Sequence, residues 1–372
     1  GQEVAGRSTR FIDEVIKQID LHLLPVKEPF DGWVIKLKNG ILTDGGFIEI
    51  DYQEFTPFYI DIEYKENAEP VAIVDEFLDT FTEGDADYKK RILEIIGHAL
   101  ITNINVKRNK NFQKVHFLMG DGGNGKGLLL IVIRTLLGHE NVSSISLDRI
   151  VDERYLYSMK GKLANCGDDI ENKVIKEEKM KMLKNLCSYD VIPLRELYKQ
   201  SKDIAVTASQ IYTTNHILKS FEKGEAWKRR GVWCPSFAKP KKDDPNFQAK
   251  LLSPEALEYW MKLVIDAYKR LYETRSFTKV ERIEEYTELY HRENNSCLEW
   301  LETWCESMEK MKEFIIGCRS PEIYKTYEIW AEDYGYHVQS SKQLTQTIED
   351  ELGLILKNTR IKGIGGRYWL EE

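Results

Sequence analysis

Apolar positions along this chain follow three rhythms. Ile12, Val15, Ile16, Ile19 and Leu23 recur at helical spacing, which predicts a short amphipathic helix over about Ser8–Leu23. Strand-like pieces follow at Trp33–Leu37 and Phe47–Asp51, and Asn39-Gly40 between apolar runs predicts a hairpin turn. Residues Ala72–Thr80 and Asp87–Leu100 return to helical spacing and predict a small helical collar. From Lys114 strands and helices alternate, the mark of an α/β core with a parallel sheet. The predicted strands are Val115–Met119, Val142–Ser146, Lys162–Cys166, Ser209–Thr213 and Gly231–Cys234.

The rhythm breaks again after Pro235, in a Lys/Pro/Asp-rich linker at Ala238–Asn246. Ser253-Pro254 then opens a helix, Ser as N-cap and Pro at the first helical position. Ser320-Pro321-Glu322 caps another, and Ser340/Ser341 opens one that ends at Gly353. Two strands close the chain, Leu354–Asn358 and Arg367–Leu370, joined by a Gly- and Lys-rich loop. Helix, helix, hairpin is the order of a winged helix, a DNA reader; the alternative is a small helical cap with an unrelated hairpin.

The expected division is an N-terminal α+β region and helical collar over 1–105, a P-loop core over 106–238, a linker and helical segment over 239–290, and a winged-helix-like DNA-binding domain over 291–372. A length of 372 residues suits two or three domains. The longest strongly apolar run, Leu128–Ile133, is six residues and cannot span a bilayer. Six cysteines without a CxxC pair suggest neither a zinc framework nor a disulfide scaffold, so a reducing cytoplasmic setting is expected. Net charge of −8 argues against a surface coated for nucleic acid, but not against a few local basic loops. The first residue is Gly rather than Met, so a longer polypeptide extending upstream is expected.

The chemistry begins at Gly120-Asp121-Gly122-Gly123-Asn124-Gly125-Lys126-Gly127, between an apolar strand and an apolar helix. This is the setting a phosphate loop requires. The glycines let backbone N–H groups turn toward phosphate oxygens, the helix N-terminus adds partial positive charge, and Lys126 reaches the β- and γ-phosphates of ATP. One position departs from the pattern. A Ser or Thr hydroxyl for Mg²⁺ is expected after the lysine, and Gly127 stands there. Losing such a contact is worth roughly 1.5–3 kcal/mol, about ten- to a hundredfold in Mg·ATP binding unless water replaces the oxygen.

Thirty-six residues beyond Lys126, the apolar segment Lys162–Gly167 leads into Asp168-Asp169. Carboxylates at the end of a core strand can hold Mg²⁺ and orient the attacking water, so Asp168 is assigned to the metal and Asp169 to the water, with Glu171 the alternate. The stretch from Asp190 to Val206 reads as a hairpin with a basic tip, and Lys199 and Lys202 are its candidate DNA contacts. Lys357, Arg360 and Lys362 near the C-terminal hairpin are weaker candidates of the same kind. Strand Ile211–Thr214 ends in Asn215, suited to contact the γ-phosphate or the lytic water. Arg229 and Arg230 precede the last core strand, where a cation can reach a neighbouring subunit's site; Arg230 is the first candidate and Arg229 the alternate.

In this order and spacing the elements resemble the superfamily 3 helicases, in particular the poxvirus and phage/plasmid primase-helicase branch. The phosphate loop of that branch reads close to GxGxNGKS, matched by Gly120 to Lys126 with the Ser missing. Its acidic motif is similar to Lys162–Asp169, its basic hairpin region to Lys184–Lys199, its sensor asparagine to Asn215 and its arginine pair to Arg229-Arg230. Upstream, Lys38–Leu42 and Ile95–Gly97 are similar to its entry segment. The resemblance implies an AAA+-like ATPase core with helices on both sides of its sheet and a hexameric ring with ATP and Mg²⁺ at subunit interfaces. It also implies single-stranded or forked DNA threaded past the hairpin tips, and a primase or polymerase domain upstream in the same polypeptide, serving phage, viral or plasmid replication in the host cytoplasm. The competing expectation, resting on Gly127, is a ring-assembly module that binds ATP but hydrolyses it poorly. A winged-helix regulator with a P-loop switch and a small-molecule kinase are further alternatives.

Overall fold

The computed structural model describes residues 9–22, 34–44, 46–50, 56–170, 174–195, 200–220, 225–239, 244–334, 336 and 338–371. After helix α1 (Thr9–His22), a small sheet forms from β1 (Ile35–Leu37), β2 (Gly40–Thr43), β3 (Gly46–Glu49) and β4 (Phe58–Ile60). Leu37 pairs with Gly40, so the expected hairpin exists but turns through Lys38-Asn39, one residue earlier than expected. Asn39 explains the shift. Its side chain donates to the Tyr64 carbonyl at 2.8 Å and accepts from the Tyr64 N–H at 2.9 Å, so it belongs to the turn rather than the strand. The collar helices are α2 (Ala72–Thr82) and α3 (Ala86–Ala99), the latter capped by the Asp85 carboxylate, and a short α4 (Ile104–Lys107) follows.

Then comes the α/β core: β5 (Val115–Met119), α5 (Lys126–Leu137), β6 (Val142–Ser143), α6 (Glu153–Leu156), β7 (Ala164–Ile170), β8 (Val174–Ile175), α7 (Glu177–Ser188), β9 (Val191–Leu194), β10 (Lys202–Ala205), β11 (Ser209–Thr214), β12 (Lys219–Ser220), α8 (Glu225–Lys228) and β13 (Gly231–Pro235). Five of these strands form one sheet in the order β13-β5-β11-β7-β6, every pair parallel. Strands β5, β11 and β13 are buried throughout, as expected when both faces of a sheet are covered. Strand β11 inserts between β5 and β7, so the ends of all three lie side by side.

Helices α9 (Phe247–Leu251) and α10 (Pro254–Thr274) return to the collar. Gly97 makes that return possible: a Cβ there would come within 2.9 Å of the Tyr268 backbone nitrogen. Buried Glu94 fastens the same joint, bonding the Thr278 N–H and hydroxyl and pairing with Arg270 at 2.7 Å. One hydrophobic core therefore runs through residues 35–101, one face of the central sheet and residues 251–283, while a second core covers the other face.

Helix α11 (Glu281–Glu293) serves the first two cores, with Ile283 in one and Tyr290 stacked on Trp233 in the other. A third core gathers α12 (Ser296–Thr303), α13 (Met308–Ile315), α14 (Ser320–Asp333), α15 (Ser341–Leu352), β14 (Leu354–Ile361) and β15 (Ile364–Glu371), with Trp300, Tyr327 and Trp369 buried at its centre. The final hairpin is longer than expected. Ile361 pairs with Ile364, which leaves only Lys362-Gly363 as the turn, both at positive φ. Trp369 also exchanges backbone bonds with Gly317 and Cys318, tying a segment before α14 to the hairpin.

Candidate functional site

Every strand of the core sheet runs the same way, so one edge collects the loops that follow the strands. That edge is where ligands bind in open α/β sheets. The Gly120–Gly125 loop leaves β5 there. Gly122, Gly123 and Gly125 hold φ of 96°, 66° and 86°, values that let the loop curl into α5 and that residues with a Cβ rarely adopt. Gly120 is required by crowding: a Cβ would sit 1.8 Å from Asn124 Nδ2 and 2.1 Å from the Ser236 carbonyl oxygen. Asn124 in turn donates to that Ser236 carbonyl, which fixes the loop to the end of β13. Helix α2 backs the loop through Phe77 and Phe81.

Lys126 is 7% exposed, and its ammonium donates to the Gly120 carbonyl at 2.7 Å, Asn124 Oδ1 at 3.1 Å and Asn215 Oδ1 at 3.0 Å. The loop lysine and the strand-end asparagine, 89 residues apart, thus meet directly. Gly127 lies in the first turn of α5 with nothing within 4 Å of its Cβ position. Asp121 is exposed at the loop's outer side.

The acidic pair belongs to β7 itself, which runs to Ile170 rather than stopping at Cys166 as expected. The neighbouring β11 extends to Thr214, and the register between the two slips between Tyr212 and Thr214 to keep both paired. Gly167 is needed beside it, because a Cβ would lie 2.4 Å from the Tyr212 ring. Asp168 is exposed and accepts a bond from Thr213 Oγ1 at 3.3 Å, so it stands one strand away from Asn215. The side chain of Asp169, and Glu171 altogether, lie outside the described residues.

The loop's positive-φ glycines, its helix N-terminus and a buried ammonium are the donor set a triphosphate requires. Among the described residues no group of three His, Cys, Asp or Glu converges on a metal position. Mg²⁺ does not need one, since it takes one or two carboxylates and completes its shell with water and phosphate oxygens. Residues Gly120–Lys126 therefore fit ATP, and Asp168 fits the metal that accompanies it.

The arginine pair sits at the opposite edge. Val115, the first residue of β5, donates its N–H to the Arg230 carbonyl, so about 15 Å of strand separates the pair from the loop of its own subunit. Arg230 is 9% exposed, and its guanidinium bonds Ser188 Oγ at 2.7 Å, the Ala226 carbonyl at 2.6 Å and Gln113 Oε1 at 3.4 Å. Arg229 is half-buried, and its Nη1 finds no partner among the described residues. The sequence reading puts Arg230 first and Arg229 as the alternate, yet Arg230 is the buried one and bonds groups of its own subunit, while Arg229 is half-buried.

Of the candidate DNA contacts, Lys202 is exposed at the first position of β10, paired with Leu194 beside the hairpin tip. Lys199 lies outside the described residues. Lys357 and Arg360 are exposed on β14, within a strand rather than in a loop, and Lys362 occupies the turn at φ 49°.

Sequence reasoning missed Ser236 and Thr213, whose contacts depend on which strand neighbours which. It also missed a buried polar chain at the far edge. Lys107 donates to the Thr207 carbonyl and Ser209 Oγ, Ser209 meets His98 Nδ1 at 3.0 Å, and burial holds the His98 imidazole well below the usual histidine range.

Residues 118–230, from the end of β5 to Arg230, match a family of unknown function, DUF5906. No curated protein matches the chain in sequence. In three dimensions it resembles the apo C-terminal region of NrS-1 in its A form (TM-score 0.52, 12% identity, 98% of this chain and 91% of that one). A second apo structure of that region, residues 305–718, gives 0.50 at 13% identity over 98% and 90%. At such identity the likeness is one of fold, and it extends from the N-terminal sheet to the C-terminal hairpin.

Proposed function

We propose that this chain is an ATP-driven DNA motor, a helicase or translocase of viral, phage or plasmid replication that works as a hexameric ring. The observation that carries the proposal is the meeting of Lys126 with Asn215 at the ligand-binding edge of an all-parallel sheet, one strand from Asp168. A merely structural glycine turn gives no reason for a buried lysine, a strand-end amide and an acidic strand to converge there.

Bound ATP with Mg²⁺ would supply the phosphoanhydride whose cleavage drives movement. Lys126 binds the β- and γ-phosphate oxygens and gives up its present acceptors, Gly120 and Asn124, to do so. Asn215 then orients the terminal phosphate or the attacking water. Asp168 would hold the metal, and Asp169 is the candidate to position the water. Arg229, at the opposite edge, is too far from this site to serve its own subunit, and is the candidate to complete the neighbour's. The helices α13, α14 and α15 followed by the β14–β15 hairpin support the winged-helix assignment, and the exposed cations of the hairpin support its contact with a DNA backbone. Helix α15 itself carries Glu349, Asp350 and Glu351 toward its end, so sequence readout through that end is disfavoured.

ATP hydrolysis measured with and without single-stranded DNA is the test. Stimulated turnover, abolished in Lys126→Ala, is expected. Stimulation that survives in that variant would remove the loop from the mechanism. A second reading rests on Gly127: nucleotide binding and ring assembly on DNA with little turnover, which the same assay would reveal as tight binding without phosphate release.

A further inference from the structure

At the sheet edge away from the phosphate loop, a cavity of about 450 Å³ opens between the β9–β10 hairpin, the α4 segment and the turn before β7. Its charged lining is lopsided: Lys107, Arg108, Lys160, Lys162 and Lys202 against the single Asp203. The chain as a whole carries more acids than bases, 61 to 53, so this convergence is not a reflection of composition. The cations come from separate stretches of chain that only the fold brings together. Among the described residues none of the five forms a salt bridge; Lys107, Arg108 and Lys162 bond neutral carbonyl oxygens of Thr207, Tyr189 and Glu140 instead. Like charges gathered around one hollow with a single carboxylate, Asp203, repel one another, and an anion seated there removes that repulsion. The remaining wall is mostly apolar, with Phe58, Ile101, Ile104, Val191 and Ile204 beside Thr102 and Thr207.

We propose that this cavity binds one nucleotide unit of a single-stranded nucleic acid, its phosphate on the Lys160, Lys162, Arg108 and Lys202 cations and its base against the apolar wall. The size admits a nucleotide but not a duplex, whose bases are in any case hidden in the stack. Cations along the backbone with apolar contact to the base are the chemistry by which unpaired strands are held. A free nucleotide shares this chemistry and is the other possible source. The inference rests on the nucleic-acid part of the motor proposal and not on its ATPase part.

The test is fluorescence anisotropy of a labelled oligo-dT of about 16 nucleotides, titrated with the full chain without ATP or Mg²⁺. Lys160→Glu/Lys162→Glu should weaken binding at least about tenfold and, with two phosphate contacts gone, reduce the log–log salt slope by about 1.4. Millimolar dTMP that displaces the oligomer from wild type would assign the pocket to free nucleotides as well; dTMP without effect would assign it to the strand. Wild-type affinity and salt slope in the double variant would overturn the proposal. Lysine acetylation read by mass spectrometry guards against a folding artefact: in wild type the oligomer should protect Lys160 and Lys162, and unchanged labelling would equally overturn it. Protection together with an ATPase indifferent to DNA would keep the cavity and discard the motor.

Discussion

In the proposed ATP site Gly127 stands where a hydroxyl would meet Mg²⁺, and its surroundings would make that deficit reversible. It occupies the exposed first turn of α5, and nothing lies within 4 Å of the position a Cβ would take. Gly127→Ser therefore costs no packing and should raise Mg·ATP affinity or turnover by about tenfold or more. Titration with a fluorescent nucleotide at fixed Mg²⁺ decides it, and an unchanged or weaker response would mean that water already fills the coordination position. Lys107 illustrates a different residue-level cost. Burial pushes its ammonium down to about 7, far below the unfolded-chain value near 10.4. Between pH 7 and roughly 10 the unfolded chain holds a proton that the folded chain lacks, so stability climbs with pH by up to about 1.4 kcal/mol per unit. Below pH 7 both states are charged and the penalty is fully present. Lys107→Met should flatten the urea midpoint's rise from about pH 7 to 9.5. Parallel curves for the two proteins would show that Lys107 keeps an ordinary pKa.

Elements with strong periodicity were legible in the sequence, and their ends were less so. The five core strands, the collar helices and the capped α10 and α15 follow from apolar spacing and from Ser or Asp caps. The ends of β7 and of the C-terminal hairpin did not, because a strand stops where its neighbour stops. Asp168 was therefore read as following a strand when it lies within one. Likewise the glycines near 363–366 suggested a loop, yet Gly365 and Gly366 pair with Arg360 and Thr359 inside the ladder. Only Lys362-Gly363 turns, and a lysine at φ 49° carries the strain of a left-handed residue. Asn is the residue this two-residue turn prefers before Gly. Lys362→Asn should stabilise the hairpin by about 0.5–1 kcal/mol, read as a higher denaturant midpoint, while weakening duplex DNA binding slightly through the lost charge. A lower midpoint would mean that the lysine side chain packs against the hairpin in a way its exposure does not suggest.

At the scale of the whole molecule, the proposed ring would bring two opposite edges of one sheet into one site. The phosphate loop follows the carboxyl end of β5, and Arg229 and Arg230 precede the amino end of its neighbour β13, about 15 Å away along the strands. Within one subunit they do not meet; across a ring interface, the amino edge of one copy can face the loop of the next. The sequence reading favours Arg230 with Arg229 the alternate, but their surroundings give them different work and reverse that order. Arg230 is spent inside its own subunit on Ser188, Ala226 and Gln113, so Arg230→Ala should lower thermal stability by several degrees and is a poor probe of catalysis. Arg229, whose buried Nη1 has no partner among the described residues, is the residue to test. Alone, Arg229→Ala (sound loop, no finger) and Lys126→Ala (sound finger, no loop) should each lack ATPase activity. Mixed, they should form some interfaces that pair a good loop with a good arginine, and activity should return in part and grow with protein concentration. No residue acting within its own subunit can produce that recovery. If mixed oligomers form, as native mass spectrometry of differently tagged subunits would report, and the mixture stays inactive, the arginine pair is structural and the shared interfacial site falls with it.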